Sequence, residues 1–216
     1  INNIGGHQVP RIVADLSMLP EITPASLFAV GYQYSVPLDK WNVTDLACDY
    51  IYAGKKTMDF EIPGTLGIIL DAVAWESNAN KDRCYPLFTT EEFMHANRHS
   101  EVLNFVRFDA SEPGKLAELK MEKVVLVLET ANAHGMPEQR RLFAELDEQG
   151  MKVPVILRRN YEGAIEEVLI HSATDTGALL LDGFGDGVWI SDNSNRNIRS
   201  VNSLCFGILQ ATRTRI

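Results

Sequence analysis

The feature that most constrains this chain is the alternation of short, continuously apolar runs with stretches of helical period. Runs at residues 11–16, 67–73, 105–109, 124–129 and 153–157 carry Val, Ile, Leu and Phe with few interruptions. A strand reads this way when both of its faces are buried, as in a parallel sheet covered by helices. Less regular runs at 28–33 and 50–53 join them as strands. The stretches between carry helix signals. Thr89-Thr90-Glu91-Glu92 places Thr89 as N-cap with Glu92 three residues on, a capping box. Phe93, Ala96, Ser100 and Leu103 then recur at helical spacing. Pro137 opens the next helix at its first position, where a missing N–H costs nothing. Leu142, Phe143 and Leu146 form its stripe, and Gly150 ends it. A third helix starts near Glu162, with Ile165, Val168 and Leu169 facing inward. The polar stretch 76–86 reads as an extended loop. Strands alternating with helices are the pattern of βα units.

The segment 177–183 fits either a buried strand or the end of the third helix, and its period cannot separate the two. As helix, it leaves residues 188–191 as the eighth strand, and eight parallel strands close a barrel. As strand, it brings the count to nine. Residues 201–215, with Leu204, Cys205, Ile208 and Leu209 at helical spacing, read as the last outer helix. A Gly5-Gly6 turn precedes the first run, so residues 1–16 are expected to open with a hairpin. The expected fold is α/β, a (β/α)8 TIM-barrel-like single domain over residues 1–216. A chain of 216 residues, 45% hydrophobic, suffices for one such core.

Charge and cysteine usage exclude several classes. A net charge of −9 is unsuited to duplex nucleic acid, whose phosphates need clustered Lys and Arg. No window reaches the ~18 apolar residues of a membrane span. The first residues have neither the basic nor the apolar region of a signal peptide, and the missing initiator Met suggests a cut or a processed chain. Cys48, Cys84 and Cys205 are odd in number and contain no C-x-x-C pair. That argues against a disulfide framework, a zinc site or an iron–sulfur cluster built by this chain alone. A reducing cytoplasm or plastid stroma fits.

Chemistry on a barrel sits at the C-terminal ends of its strands. The polar residues there are Asp15, Asp71, Asp109, Glu129, Arg158, Arg159, Asn160 and Asp192. Arg158-Arg159-Asn160 is the anion-binding candidate, because guanidinium forks suit phosphate. Successive strand residues face opposite ways, so at most one Arg looks into the mouth; the other is expected to pair with a carboxylate against the helices. His134 could transfer protons if it lay near Glu129. His95 and His99 have the i,i+4 spacing of zinc ligands, but no third ligand accompanies them, and no metal site is assigned. Gly183-Phe184-Gly185-Asp186-Gly187 lacks the strand-then-helix setting of a phosphate loop and reads as a tight turn.

The stretch Ser172-Ala173…Gly177-Ala178-Leu179-Leu180-Leu181-Asp182-Gly183-Phe184-Gly185-Asp186-Gly187-Val188-Trp189-Ile190-Ser191 resembles 4-hydroxy-3-methylbut-2-enyl diphosphate synthases, as does Gly207-Ile208-Leu209-Gln210 in the helix after it. In that family the first stretch forms the last helix, turn and strand of a barrel. The resemblance therefore implies that 178–181 continues the helix and 188–191 is strand eight. It is nearest the three-domain form, which implies that 1–216 is the central insertion domain, a diverged copy of the catalytic barrel. The implied parent is an oxidoreductase that reductively opens a cyclic diphosphate with a 4Fe–4S cluster and electrons from ferredoxin or flavodoxin. The implied partners of this domain are the catalytic barrel and iron–sulfur domain of the same chain. One residue departs from the catalytic pattern: Trp189 stands where the catalytic barrel's last strand has Arg. An indole cannot clamp diphosphate, so the implied role is structural spacing, with no catalytic residue and no cofactor in this piece.

Overall fold

The computed structural model describes residues 1–192 and 197–212. Its strands are β1 (Arg11–Asp15), β2 (Tyr32–Ser35), β3 (Lys40–Val43), β4 (Tyr50–Gly54), β5 (Gly67–Asp71), β6 (Cys84–Thr89), β7 (Asn104–Asp109), β8 (Val124–Glu129), β9 (Val155–Tyr161) and β10 (Gly187–Asp192). All but β2 and β3 form a closed parallel barrel in the order β1-β10-β9-β8-β7-β6-β5-β4, with β4 paired in turn to β1. The (β/α)8 expectation holds. The helices are α1 (Ala72–Ser77), α2 (Thr90–His95), α3 (Gly135–Glu148), α4 (Ile165–Leu181) and α5 (Ile198–Ala211). Segment 177–181 is helix, and residues 183–186 turn the chain into β10 with Gly183 and Gly185 at positive φ. Arg213 and Arg215, expected in the last helix, lie outside the described residues.

Two strand expectations fail in opposite directions, so the total stays at eight. Residues 28–33 are not a barrel strand. A 3-10 helix, Ser26–Val30, ends at Gly31 with φ +93°, and the chain then turns out into the antiparallel β2–β3 hairpin beside the barrel. A side chain at position 31 would collide with the backbone of Leu46 and Ala47 as well as carrying that φ. The missed barrel strand is β6, hidden by the charged Lys81-Asp82-Arg83 before it and by Pro86 inside it. Pro86 cannot donate a ladder bond; its pairing register with β5 is kept, and the register with β7 begins only at Leu87.

The opening hairpin does not form either. Asn2, Asn3, Gly5 and Gly6 all have positive φ, which coils the segment and excludes extended pairing. It instead plugs the floor of the barrel. Ile4 is fully buried among Tyr50, Tyr85 and Phe105, and the Asn2 amide donates to the Tyr85 hydroxyl at 3.1 Å. Above this plug the interior fills with Val13, Ile69, Leu87, Val125, Val127, Ile156 and Trp189. Gly67 opens β5 without a side chain because a Cβ there would strike the Tyr50 ring.

The outer layer is uneven. Three long helices, α3, α4 and α5 of 14, 17 and 14 residues, cover one half of the ring. The other half has α1 and α2, six residues each, with the hairpin and two 3-10 turns. Helix α2 ends at His95, so the expected continuation through Ser100 and Leu103 is wrong: Asn104 Oδ1 captures the Ser100 N–H at 2.8 Å and turns the chain into β7. His95 and His99 thus do not share a helix face, and the His99 Nε2 lies 2.9 Å from the Phe93 carbonyl. Helix α3 begins two residues before Pro137, which is still within the first turn where no N–H is needed. The capping box is present, with Thr89 Oγ1 accepting from Glu92 N at 3.1 Å and Glu92 accepting from Thr89 N at 2.7 Å. Thr89→Ala should lower stability by about 1 kcal/mol in equilibrium urea unfolding. A loss within error of zero would show that packing alone holds this short helix.

Candidate functional site at the barrel mouth

The inward positions of successive strands bring Asp15, Tyr52, Asp71, Arg107, Glu129, Arg158 and Ser191 to the C-terminal mouth. Glu129 is the centre of the group. It accepts a two-pronged contact from Arg107, at 3.0 Å from Nε and 2.9 Å from Nη2, and a further bond from Arg158 Nη1. Arg158 sits over the Trp189 indole, its guanidinium carbon 4.2 Å from the ring centroid. Tyr52 leans on the same indole at 4.9 Å and donates its hydroxyl to Asp71 at 2.6 Å. Burial, and then the bond to Asp71, raises the Tyr52 phenol well above its ordinary range, so it stays protonated and remains a donor. Across the mouth, Ser191 donates to Asp15 at 2.7 Å. Acids are thus set against bases and hydroxyls around the ring, while Arg158 Nε and the Trp189 indole N–H are buried without a hydrogen-bond partner among the described residues.

The anion-binding candidates separate. Arg158 points inward and is held by Glu129. Arg159 points outward, 3.1 Å from Asp175 of α4, and donates to the carbonyls of Thr130, Asn132 and Ala133. It therefore shapes the loop after β8. Asn160 is exposed at the rim. Asp109 is also exposed, and its carboxylate accepts from Ser111 N at 2.9 Å, which orients its own loop. His134 is exposed at the start of α3, its N–H donating to Asn132, and the Glu129 carboxylate is occupied by arginines. Arg107 and Tyr52 went unnoticed in the sequence. Arg107 could have been found by alternation, since it stands two residues before Asp109 on the same face.

A cleft of about 580 Å³ opens beside this ring, lined by Tyr52, Lys55, Asp71, Thr89, Glu92 and Arg107 among others. Its cations are Lys55 and Arg107, and the latter is already bound to Glu129. Among the described residues no cluster of His, Cys, Asp and Glu has the arrangement of a metal site. The three cysteines are buried in apolar surroundings, and burial pushes the Cys205 thiol up to about 12. A cluster ligand must be a thiolate, so these residues do not fit an iron–sulfur centre.

Comparison with known proteins decides the lineage. No family model matches the chain. The 4-hydroxy-3-methylbut-2-en-1-yl diphosphate synthase (flavodoxin) of Parabacteroides distasonis is 37% identical over 172 residues, covering 78% of this chain and 27% of that protein. The synthase of the same name from Bacteroides thetaiotaomicron is 30% identical over 224 aligned residues, covering the whole chain and 32% of the relative. The chain is a homologue of part of these synthases. The similarity read in its last fifth thus extends along its length. A third synthase, from Chlorobaculum tepidum, is 32% identical over 164 residues, 76% of this chain and 20% of its own length. The chain spans less than a third of the synthases it matches. No helix among the described residues is long and apolar enough to cross a membrane.

Proposed function

We propose that residues 1–216 are the central insertion domain of a 4-hydroxy-3-methylbut-2-enyl diphosphate synthase, acting as a structural spacer. The parent reductively opens 2-C-methyl-D-erythritol 2,4-cyclodiphosphate in non-mevalonate isoprenoid biosynthesis. Its 4Fe–4S cluster is held by another domain and fed by flavodoxin or ferredoxin, in the cytoplasm or plastid stroma. This domain sets the distance between catalytic barrel and iron–sulfur domain and carries no catalytic residue. The observation behind this reading is the Trp189 indole filling the barrel under Arg158, where a diphosphate would need room and free guanidinium groups.

A second reading, an anion-binding regulatory module or self-sufficient barrel enzyme on a small phosphorylated ligand, draws on the cleft beside Lys55 and Arg107. Thermal unfolding with millimolar pyrophosphate or the cyclic diphosphate separates the two. Binding to the folded state alone would add about 2.7 kcal/mol at a hundredfold excess over Kd. The spacer reading expects no shift, and unchanged turnover of the full-length parent carrying Arg107→Ala. A shift that Arg107→Ala abolishes would favour the second reading.

A further inference from the structure

The β2–β3 hairpin stands apart from everything the barrel explains. Its two strands pair only with each other. One face is polar, with Gln33, Ser35, Lys40 and Asn42. The other carries Tyr32, Tyr34, Trp41 and Val43, of which Trp41 is anchored by its indole N–H to the Glu61 carbonyl at 2.9 Å. The tip is apolar and open to solvent: Val36 is 78% exposed and Leu38 62%. Val43 and, at the hairpin's base, Phe28 are each more than half exposed, but between tip and base Trp41 packs on Phe60 and Arg199 lies over the Phe28 ring, so the open apolar surface is centred on the tip. A two-stranded hairpin is marginal in water, and contiguous exposed apolar surface marks an interaction site.

We infer that this hairpin is a docking arm whose occupant is another folded part of the same parent polypeptide. The inference rests on the reading of the chain as one domain of a synthase. More than two thirds of each matched relative lies outside the aligned region, even where the whole of this chain, arm included, is aligned. The arm is therefore tethered to a large folded remainder, and a tethered surface acts at an effective concentration near millimolar. A second copy would have to reach that concentration free in solution. The seat for Val36 and Leu38 is apolar, and the polar strip on the hairpin's other face stays towards water.

Hydroxyl-radical footprinting of the full-length parent tests this directly on the side chains. Leu38 and Leu181 are the same residue type, at 62% and 70% exposure in this fold, so Leu181 on α4 is the internal reference. The expected result is oxidation of Leu38 several-fold slower than of Leu181, with the Leu38 rate rising several-fold in Val36→Asp. Val73→Asp, an equally exposed apolar site on α1, should leave the Leu38 rate unchanged and controls for global loosening. A Leu38 rate equal to that of Leu181 and unmoved by Val36→Asp overturns the inference. Protection that disappears on dilution from micromolar to nanomolar protein also overturns it, by assigning the arm to a second copy. Either failure leaves the spacer reading standing, because that reading is tested separately, by the pyrophosphate-induced shift and by turnover of the parent carrying Arg107→Ala.

Discussion

Trp189→Ala should destabilise this domain by about 3–5 kcal/mol. The indole is fully buried in the barrel interior, in contact with Tyr52 and with Arg158, which are also neighbours of each other. Deleting it removes a large apolar side chain and leaves a cavity. Such cavities are cheapest where the walls can collapse, and here they cannot. Both neighbouring strands are hydrogen-bonded to β10, and the ring is closed. Arg158 also loses the surface on which it lies. Equilibrium urea unfolding would read the effect as a midpoint lowered by roughly 1–2 M at a typical slope for a domain of this size. A loss under about 1 kcal/mol would mean that the interior is not packed around the indole, and the account of why the mouth is blocked would go with it.

Glu129→Gln should be the second costly change, at about 3 kcal/mol. The carboxylate serves two guanidinium groups at once, one half-exposed and one buried. The share owed to Arg107 is small, because solvent screens an exposed pair. The cost comes from Arg158, left charged under the mouth with no acid beside it. A double-mutant cycle distinguishes this from loss of packing. Arg158→Met in the Glu129→Gln background removes the stranded charge while keeping much of the volume, and should recover most of the stability. If the double variant were instead as unstable as the two single losses added together, Glu129 and Arg158 would not be acting as a pair.

The barrel was legible where strands were apolar on both faces. The runs ending in Asp109 and Glu129 needed nothing else. The failures came where local chemistry opposed period. Phe28–Val30 is as apolar as a strand, but Gly31 in the left-handed region stops it. β6 carries a proline and a charged lead-in, and only its pairing with β5 and β7 makes it a strand. The same limit applies at the mouth. The strand ends carry the acids, yet which groups meet depends on register. Glu129 lies opposite Asp109 in the ladder, but its side chain goes to Arg107, two positions back on β7. No spacing in the sequence encodes that diagonal. His134, beyond the end of β8, and Asn160, near the end of β9, simply face water.

The seam of the barrel has a consequence for how the molecule assembles. Ser191 and Asp15, which bond across it, are 176 residues apart in the chain. Neighbouring βα units can pair as soon as each is made, but β1 must wait for β10. Until then β1 and β9 present open edges, the kind of surface on which chains associate wrongly. Contacts so distant in sequence form late because the loop entropy must be overcome first. Interactions formed after the rate-limiting step govern how long a native state survives, more than how quickly it is reached. The seam is thus a latch: it closes last, and its strength sets the lifetime of the ring.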